Sequence, residues 1–116
     1  EIPYYFWVGF YFPRDEFLEL GPSRGPPACV RIAWTGVCGS AAKEKKTIIV
    51  PNVEEFPGHI SCDPRSKSEI ALPVFSSRGD VIAILDVDSE ELGSFDDIDR
   101  EWLEKILDKA ITSSIP

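Results

Sequence analysis

A chain of 116 residues, 43% of them hydrophobic, suits one compact domain spanning 1–116 with a core of its own. Its net charge of -8 argues against nucleic-acid or anionic-membrane binding, both of which call for a basic face. No run approaches the roughly 20 apolar residues of a membrane span, and no signal-peptide pattern opens the sequence.

Three cysteines, Cys29, Cys38 and Cys62, are an odd number in a chain large enough to do without disulfides. Their spacing contains no C-x-x-C pair, and the single His59 has no partner at zinc-finger spacing. The usage reads as a reducing, cytoplasmic setting with no structural metal.

Tyr4 to Phe12 reads as an aromatic, β-branched strand stopped by Pro13. Alternation puts Trp7, Gly9 and Tyr11 on one face and Phe6, Val8, Phe10 and Phe12 on the other, the core face. Gly9 leaves a gap between two large rings, open to a small ligand or to a neighbouring backbone. Arg14-Asp15-Glu16 is a polar turn, and Phe17 to Leu20 returns as a short strand. The Gly- and Pro-rich stretch from Gly21 to Pro27 reads as a loop. Cys29 to Ile32 is a short extended segment, and Val37 to Lys45 a short helix with a basic end that suits its dipole. Thr47 to Val50 is a buried strand closed by Pro51, and Asn52 to Pro57 a polar connection. Next comes the loop around Gly58-His59-Ile60-Ser61-Cys62-Asp63, where a loop thiol is the first candidate for chemistry.

Glu69 to Phe75 and Val81 to Ser89 read as a hairpin. A two-residue Arg78-Gly79 turn fixes its register by counting. One face pairs Val74 with Ala83, Leu72 with Leu85 and Ile70 with Val87, all apolar. The other pairs Phe75 with Ile82, Pro73 with Ile84, Ala71 with Asp86 and Glu69 with Asp88. Like charges opposite one another on a sheet are destabilising, and acids amid Ile, Leu and Val are expensive to bury. Either the strand end emerges into solvent or the three carboxylates Glu69, Asp86 and Asp88 form a site that needs acids. Beyond Gly93, Ser94 is the expected N-cap of a helix, with Asp97 in position to answer it. Ile98, Trp102, Leu103, Ile106, Leu107, Ala110 and Ile111 give that helix an apolar face wide enough for the sheet and for a homodimer contact.

Taken in order, Trp7-x-Gly9-Phe10-Tyr11, Gly21-Pro22, Ala28-Cys29-Val30-Arg31-Ile32, Gly36-Val37-Cys38-Gly39, Val50-Pro51-Asn52-Val53, Phe56-Pro57-Gly58-His59-Ile60-x-Cys62-Asp63, Ser66-x-Ser68-Glu69-Ile70 and Leu85-Asp86-Val87-Asp88-Ser89 closely resemble the free methionine-(R)-sulfoxide reductases, a GAF-domain family. The resemblance implies an α+β domain: a central antiparallel sheet with helices on one face and a ligand pocket on the other. The resemblance would place a helix ahead of the first strand, and this sequence opens almost directly on that strand, so the helix is not expected within it. The resemblance further implies that Cys62 is the nucleophile and that Cys29 or Cys38 resolves the intermediate. Trp7, Tyr11, Glu69, Asp86 and Asp88 would line the substrate pocket. No bound cofactor is implied; an external thioredoxin-like dithiol would return the electrons.

The residues suit that chemistry. A sulfoxide is a poor electrophile until its oxygen is protonated. Three carboxylates on one face cannot all ionise cheaply, so one should hold a proton near neutral pH. A carboxylate of the cluster is alternatively placed to hold the substrate's ammonium group. The competing readings are a non-catalytic GAF module that binds a small ligand as a sensor, and a divalent-cation site on Glu69, Asp86 and Asp88.

Overall fold

The computed structural model of the chain describes residues 5–60 and 62–114, with side chains described for 6–60 and 62–109. The strands are β1 (Tyr5–Pro13), β2 (Leu18–Arg24), β3 (Arg31–Ile32), β4 (Ile48–Val50), β5 (Ser68–Phe75) and β6 (Val81–Ser89). The helices are α1 (Val37–Glu44) and α2 (Asp97–Ser114). All six strands form one antiparallel sheet in the order β3-β2-β1-β6-β5-β4. β3 and β4 are thus its opposite edges, and the chain between them crosses the whole sheet as a belt that carries α1.

The α+β architecture expected from the sequence is the one observed. The helices differ from expectation in their placement. α2 covers the face built from Ile70, Leu72, Leu85 and Val87, through Phe95 and Leu103. α1 lies on the other face, against Trp7, Tyr11, Ala71 and Ile84. The stripe Val37, Cys38, Ala41 and Ala42 is small enough to bring α1 close to the sheet.

The β5/β6 register matches the count from sequence at six of the seven pairs, including Ala71 with Asp86 and Glu69 with Asp88. Only Phe75 departs, pairing with Val81 across an irregularity. The turn is one residue longer than expected: Ser76 N–H donates to the Asp80 carbonyl, and Gly79 stands at φ +87°. A three-residue loop with a left-handed glycine needs such a bulge, and the bulge restores the register inward of it.

β2 runs on through Gly21-Pro22, which were expected to be loop. Between the pairs Gly9–Ser23 and Tyr11–Leu20 the register shifts, so Gly21 and Pro22 together oppose one residue of β1. A bulge is where a strand tolerates proline. On β1, another shift between Tyr5 and Trp7 takes Phe6 off its expected face, so it packs on the Trp7 side. Tyr4, the first residue of the predicted strand, lies outside the described residues.

The cap of α2 is Asp96, not Ser94. Asp96 Oδ1 accepts from the backbone N–H of Ile98 and Asp99, while the Asp99 carboxylate accepts from Asp96 N–H. This reciprocal box satisfies two free donors of the helix's first turn and the cap residue's own N–H. Ser94 instead donates to the Ser89 hydroxyl, closing off the end of β6. Of the predicted apolar face of α2, Leu103 is buried, while Ile98, Trp102 and Ile106 are 76%, 59% and 47% exposed. The side chains of Ala110 and Ile111 lie outside the described ones.

Candidate active site

Register alone brings the acids together. β6 lies between β1 and β5, so Asp88 stands between Trp7 and Glu69 in one row. In the next row Asp86 stands between Gly9 and Ala71. Those two neighbours have little or no side chain, which leaves Asp86 room to point off the sheet. The gap at Gly9 is filled from within: a Cβ there would collide with the Trp7 ring. The ring itself, not a ligand or a backbone, occupies the space that Gly9 leaves. Trp7 and Tyr11 sit 6.0 Å apart at 34°, forming an aromatic wall beside the acids. Tyr11 also donates from its hydroxyl to the Cys29 carbonyl at 2.8 Å, which holds the belt down on the sheet.

The loop from Phe56 to Ser66 covers the acids from above. Gly58 takes φ +82°, and a side chain there would strike the Thr35 carbonyl, so the loop packs tightly on the start of α1. Asp63 accepts from Arg65 at 2.8 Å, and the Arg65 guanidinium lies 4.8 Å over the Phe6 ring, which closes one side. Ser61 of this loop lies outside the described residues. Cys62 is joined to Cys29 by a disulfide across 33 residues. Cys38 is a buried free thiol on α1 and takes no part in that pair.

Together these residues enclose a cavity of about 60 Å³. Trp7, Tyr11, Cys38, Cys62, Glu69, Asp86 and Asp88 all line it, and Cys29 adjoins it through its bond to Cys62. The sequence reading did not single out His59 as a site residue, yet it lines the cavity with Nε2 3.8 Å from Glu69 Oε1. Its position three residues before Cys62 was the available signal.

Asp86 is 5% exposed, and its Oδ1 is buried without a hydrogen-bond partner. The Trp7 indole N–H is likewise buried and unpartnered. Both residues line the cavity, and buried polar groups without partners beside a cavity are groups a ligand can satisfy. Burial, then repulsion from Asp88 and Glu69, pushes the Asp86 carboxyl well above the usual carboxylate range. Burial and then Glu69 do the same to Asp88. Burial first, and Asp86 next, raise the Cys38 thiol.

These shifts have a sign in stability. The native chain holds protons on Asp86 and Asp88 that the unfolded chain releases above about pH 4. Their contribution to stability is full below that point and is lost as pH rises through their raised native values. Urea midpoints should therefore fall between mildly acidic and alkaline pH, and fall less in Asp86→Asn. An unchanged slope in that variant would show that Asp86 is not the proton holder.

The six-stranded antiparallel sheet, with the two helices among the described residues, is that of a single α+β domain. The chain belongs to the GAF domain family, whose model matches residues 5–110. It is 54% identical over 105 residues to GAF domain-containing protein A of Dictyostelium discoideum, covering 89% of this chain and 66% of that one. It is 44% identical over 104 residues to the free methionine-R-sulfoxide reductase of Saccharomyces cerevisiae, covering 86% and 58% respectively. A crystal structure of the free methionine-R-sulfoxide reductase of Neisseria meningitidis with its substrate superposes at TM-score 0.85, with 44% identity over 95% of this chain and 69% of that one. The resemblance read from the motifs is thus borne out. The chain spans less than two thirds of the length of both curated relatives. Among the described residues no helix is long and apolar enough to cross a membrane.

Proposed function

We propose that this domain reduces free L-methionine (R)-sulfoxide to methionine, using Cys62 as nucleophile and Cys29 as resolving thiol. The observation that carries this reading is the Cys29–Cys62 disulfide set against a cavity floored by Glu69, Asp86 and Asp88. Once reduced, that pair is a two-electron reductant, and it stands beside a proton source around one small space. The substrate class comes from the named relatives in yeast and Neisseria.

The steps follow from the chemistry. The S-methyl group seats against Trp7 and Tyr11. A protonated carboxyl of the cluster, Asp86 in our reading, gives its proton to the sulfoxide oxygen as the Cys62 thiolate attacks sulfur. The hydroxyl then passes from the methionine sulfur to Cys62 as the transient bond between the two sulfurs breaks, which releases methionine and leaves Cys62 as a sulfenic acid. The Cys29 thiol then attacks the Cys62 sulfur, water departs, and the disulfide closes. A thioredoxin-like dithiol reopens it by exchange, becoming oxidised in turn. We place this cycle in the cytoplasm, where such a donor is maintained, and assign the exposed face of α2 no part in it.

The reading is tested by supplying the reduced chain with each methionine sulfoxide epimer, free and within a peptide, with dithiothreitol as reductant. The free R epimer should be consumed and the other three substrates left; equal rates on free and peptide-bound sulfoxide would refute an enclosing pocket. Cys29→Ser should complete one stoichiometric turnover and then stall with a thioredoxin system, whereas Cys38→Ser should continue to cycle. The opposite ranking would transfer the resolving role to Cys38.

A further inference from the structure

Cys38 has no task in this cycle, yet it is buried at the floor of the cavity beside two of the acids. We propose that Cys38, Glu69 and Asp86 form a binding site for a thiophilic divalent cation of the zinc class. One ligand atom from each of the three lies within 4.8 Å of the others, and all three residues are buried. Asp86 supplies the independent sign of a ligand: the residue lines the cavity, is only 5% exposed, and its buried Oδ1 has no hydrogen-bond partner.

The donor set selects the cation. Calcium and magnesium take oxygen ligands only, whereas zinc combines a cysteine sulfur with carboxylate oxygens at about 2.0–2.3 Å. Those lengths set a tetrahedral edge of roughly 3.5 Å, so atoms that lie within 4.8 Å of one another need close in by no more than about 1.3 Å, within reach of side-chain rotation. The cavity has room for the ion and a water as fourth ligand. His59, with Nε2 3.8 Å from Glu69 Oε1, is the protein alternative for that position. On binding, the ion takes one thiolate and two carboxylates, and the Cys38 thiol proton goes to solvent; nothing is oxidised or reduced. The site is available with the disulfide closed, because that bond leaves Cys38 free. Binding is independent of the proposed reduction. Inhibition of turnover by the ion, through loss of the carboxylates to it, rests on that reading.

The test uses the disulfide-closed chain titrated with cobalt(II), without reductant. One equivalent should bind with a thiolate-to-cobalt charge-transfer band, and one equivalent of zinc should remove the band. Cys38→Ser should abolish it, and Asp86→Asn should weaken binding roughly 10-fold or more. The double variant Cys29→Ser/Cys62→Ser should keep the band, since the paired thiols are not the ligands. Absence of the band in the parent chain, its survival in Cys38→Ser, its loss in the double variant, or undiminished affinity in Asp86→Asn would each overturn the site. Displacement of cobalt by equimolar calcium would overturn the cation class.

Discussion

Serine in place of Cys62 should leave no measurable reduction of free methionine (R)-sulfoxide. The attack on sulfur needs a thiolate, and an alcohol at neutral pH supplies almost no equivalent anion. Cys62 is half-buried in a covering loop and contributes nothing to the two cores, so the variant should fold as the parent does. Loss of activity with an unchanged circular dichroism spectrum is the expected result. Turnover by a folded Cys62→Ser chain would remove Cys62 as nucleophile, and with it the meaning given to the disulfide.

The second large effect belongs to Asp86→Asn. Asparagine keeps the shape and hydrogen-bonding atoms but has no acidic proton to deliver. Turnover should fall by roughly 100-fold or more, the scale of losing a general acid. The loss should lie in kcat and not only in KM, because protonation matters at the transition state. Stability should hold or rise, since asparagine needs none of the proton uptake that burial and its acidic neighbours impose on Asp86 when the chain folds. Asp88→Asn provides the contrast: an anchor for the substrate's ammonium group would chiefly raise KM. A folded Asp86→Asn chain with normal kcat would leave the mechanism without its electrophilic half.

The β5/β6 hairpin was legible because strands alternate strictly and Gly79 announces its turn. That placed Glu69 opposite Asp88 and Asp86 opposite Ala71 by counting. What counting could not give was the third strand. Only the β1/β6 pairing sets Gly9 beside Asp86 and Trp7 beside Asp88, and nothing local in Tyr4 to Phe12 specifies that partner. The misread segments share one cause. Gly21-Pro22 and Phe6 sit at bulges, and a bulge is a tertiary compromise between strands, invisible in one strand's own pattern. Ser94 and Asp96 are both good caps; the buried hydroxyl of Ser89 settles the choice by engaging Ser94. The three cysteines were evident as a set, but their pairing depends on where α1 lies. Because α1 rests on the acid-bearing face, Cys38 points into the floor while Cys29 meets Cys62 across the belt.

That belt gives turnover a thermodynamic side. Between Cys29 and Cys62 lie β3, α1 and β4, the two sheet edges and the helix that bridges them. Closing a loop of this length restricts the unfolded chain by about 3–4 kcal/mol in the chain-entropy account. In the cycle proposed above, each oxidation would tighten the fold and each reduction would loosen it. The form waiting for substrate would then be the one more open to unfolding and proteolysis, and substrate arrival would lengthen the molecule's life as well as occupy its pocket.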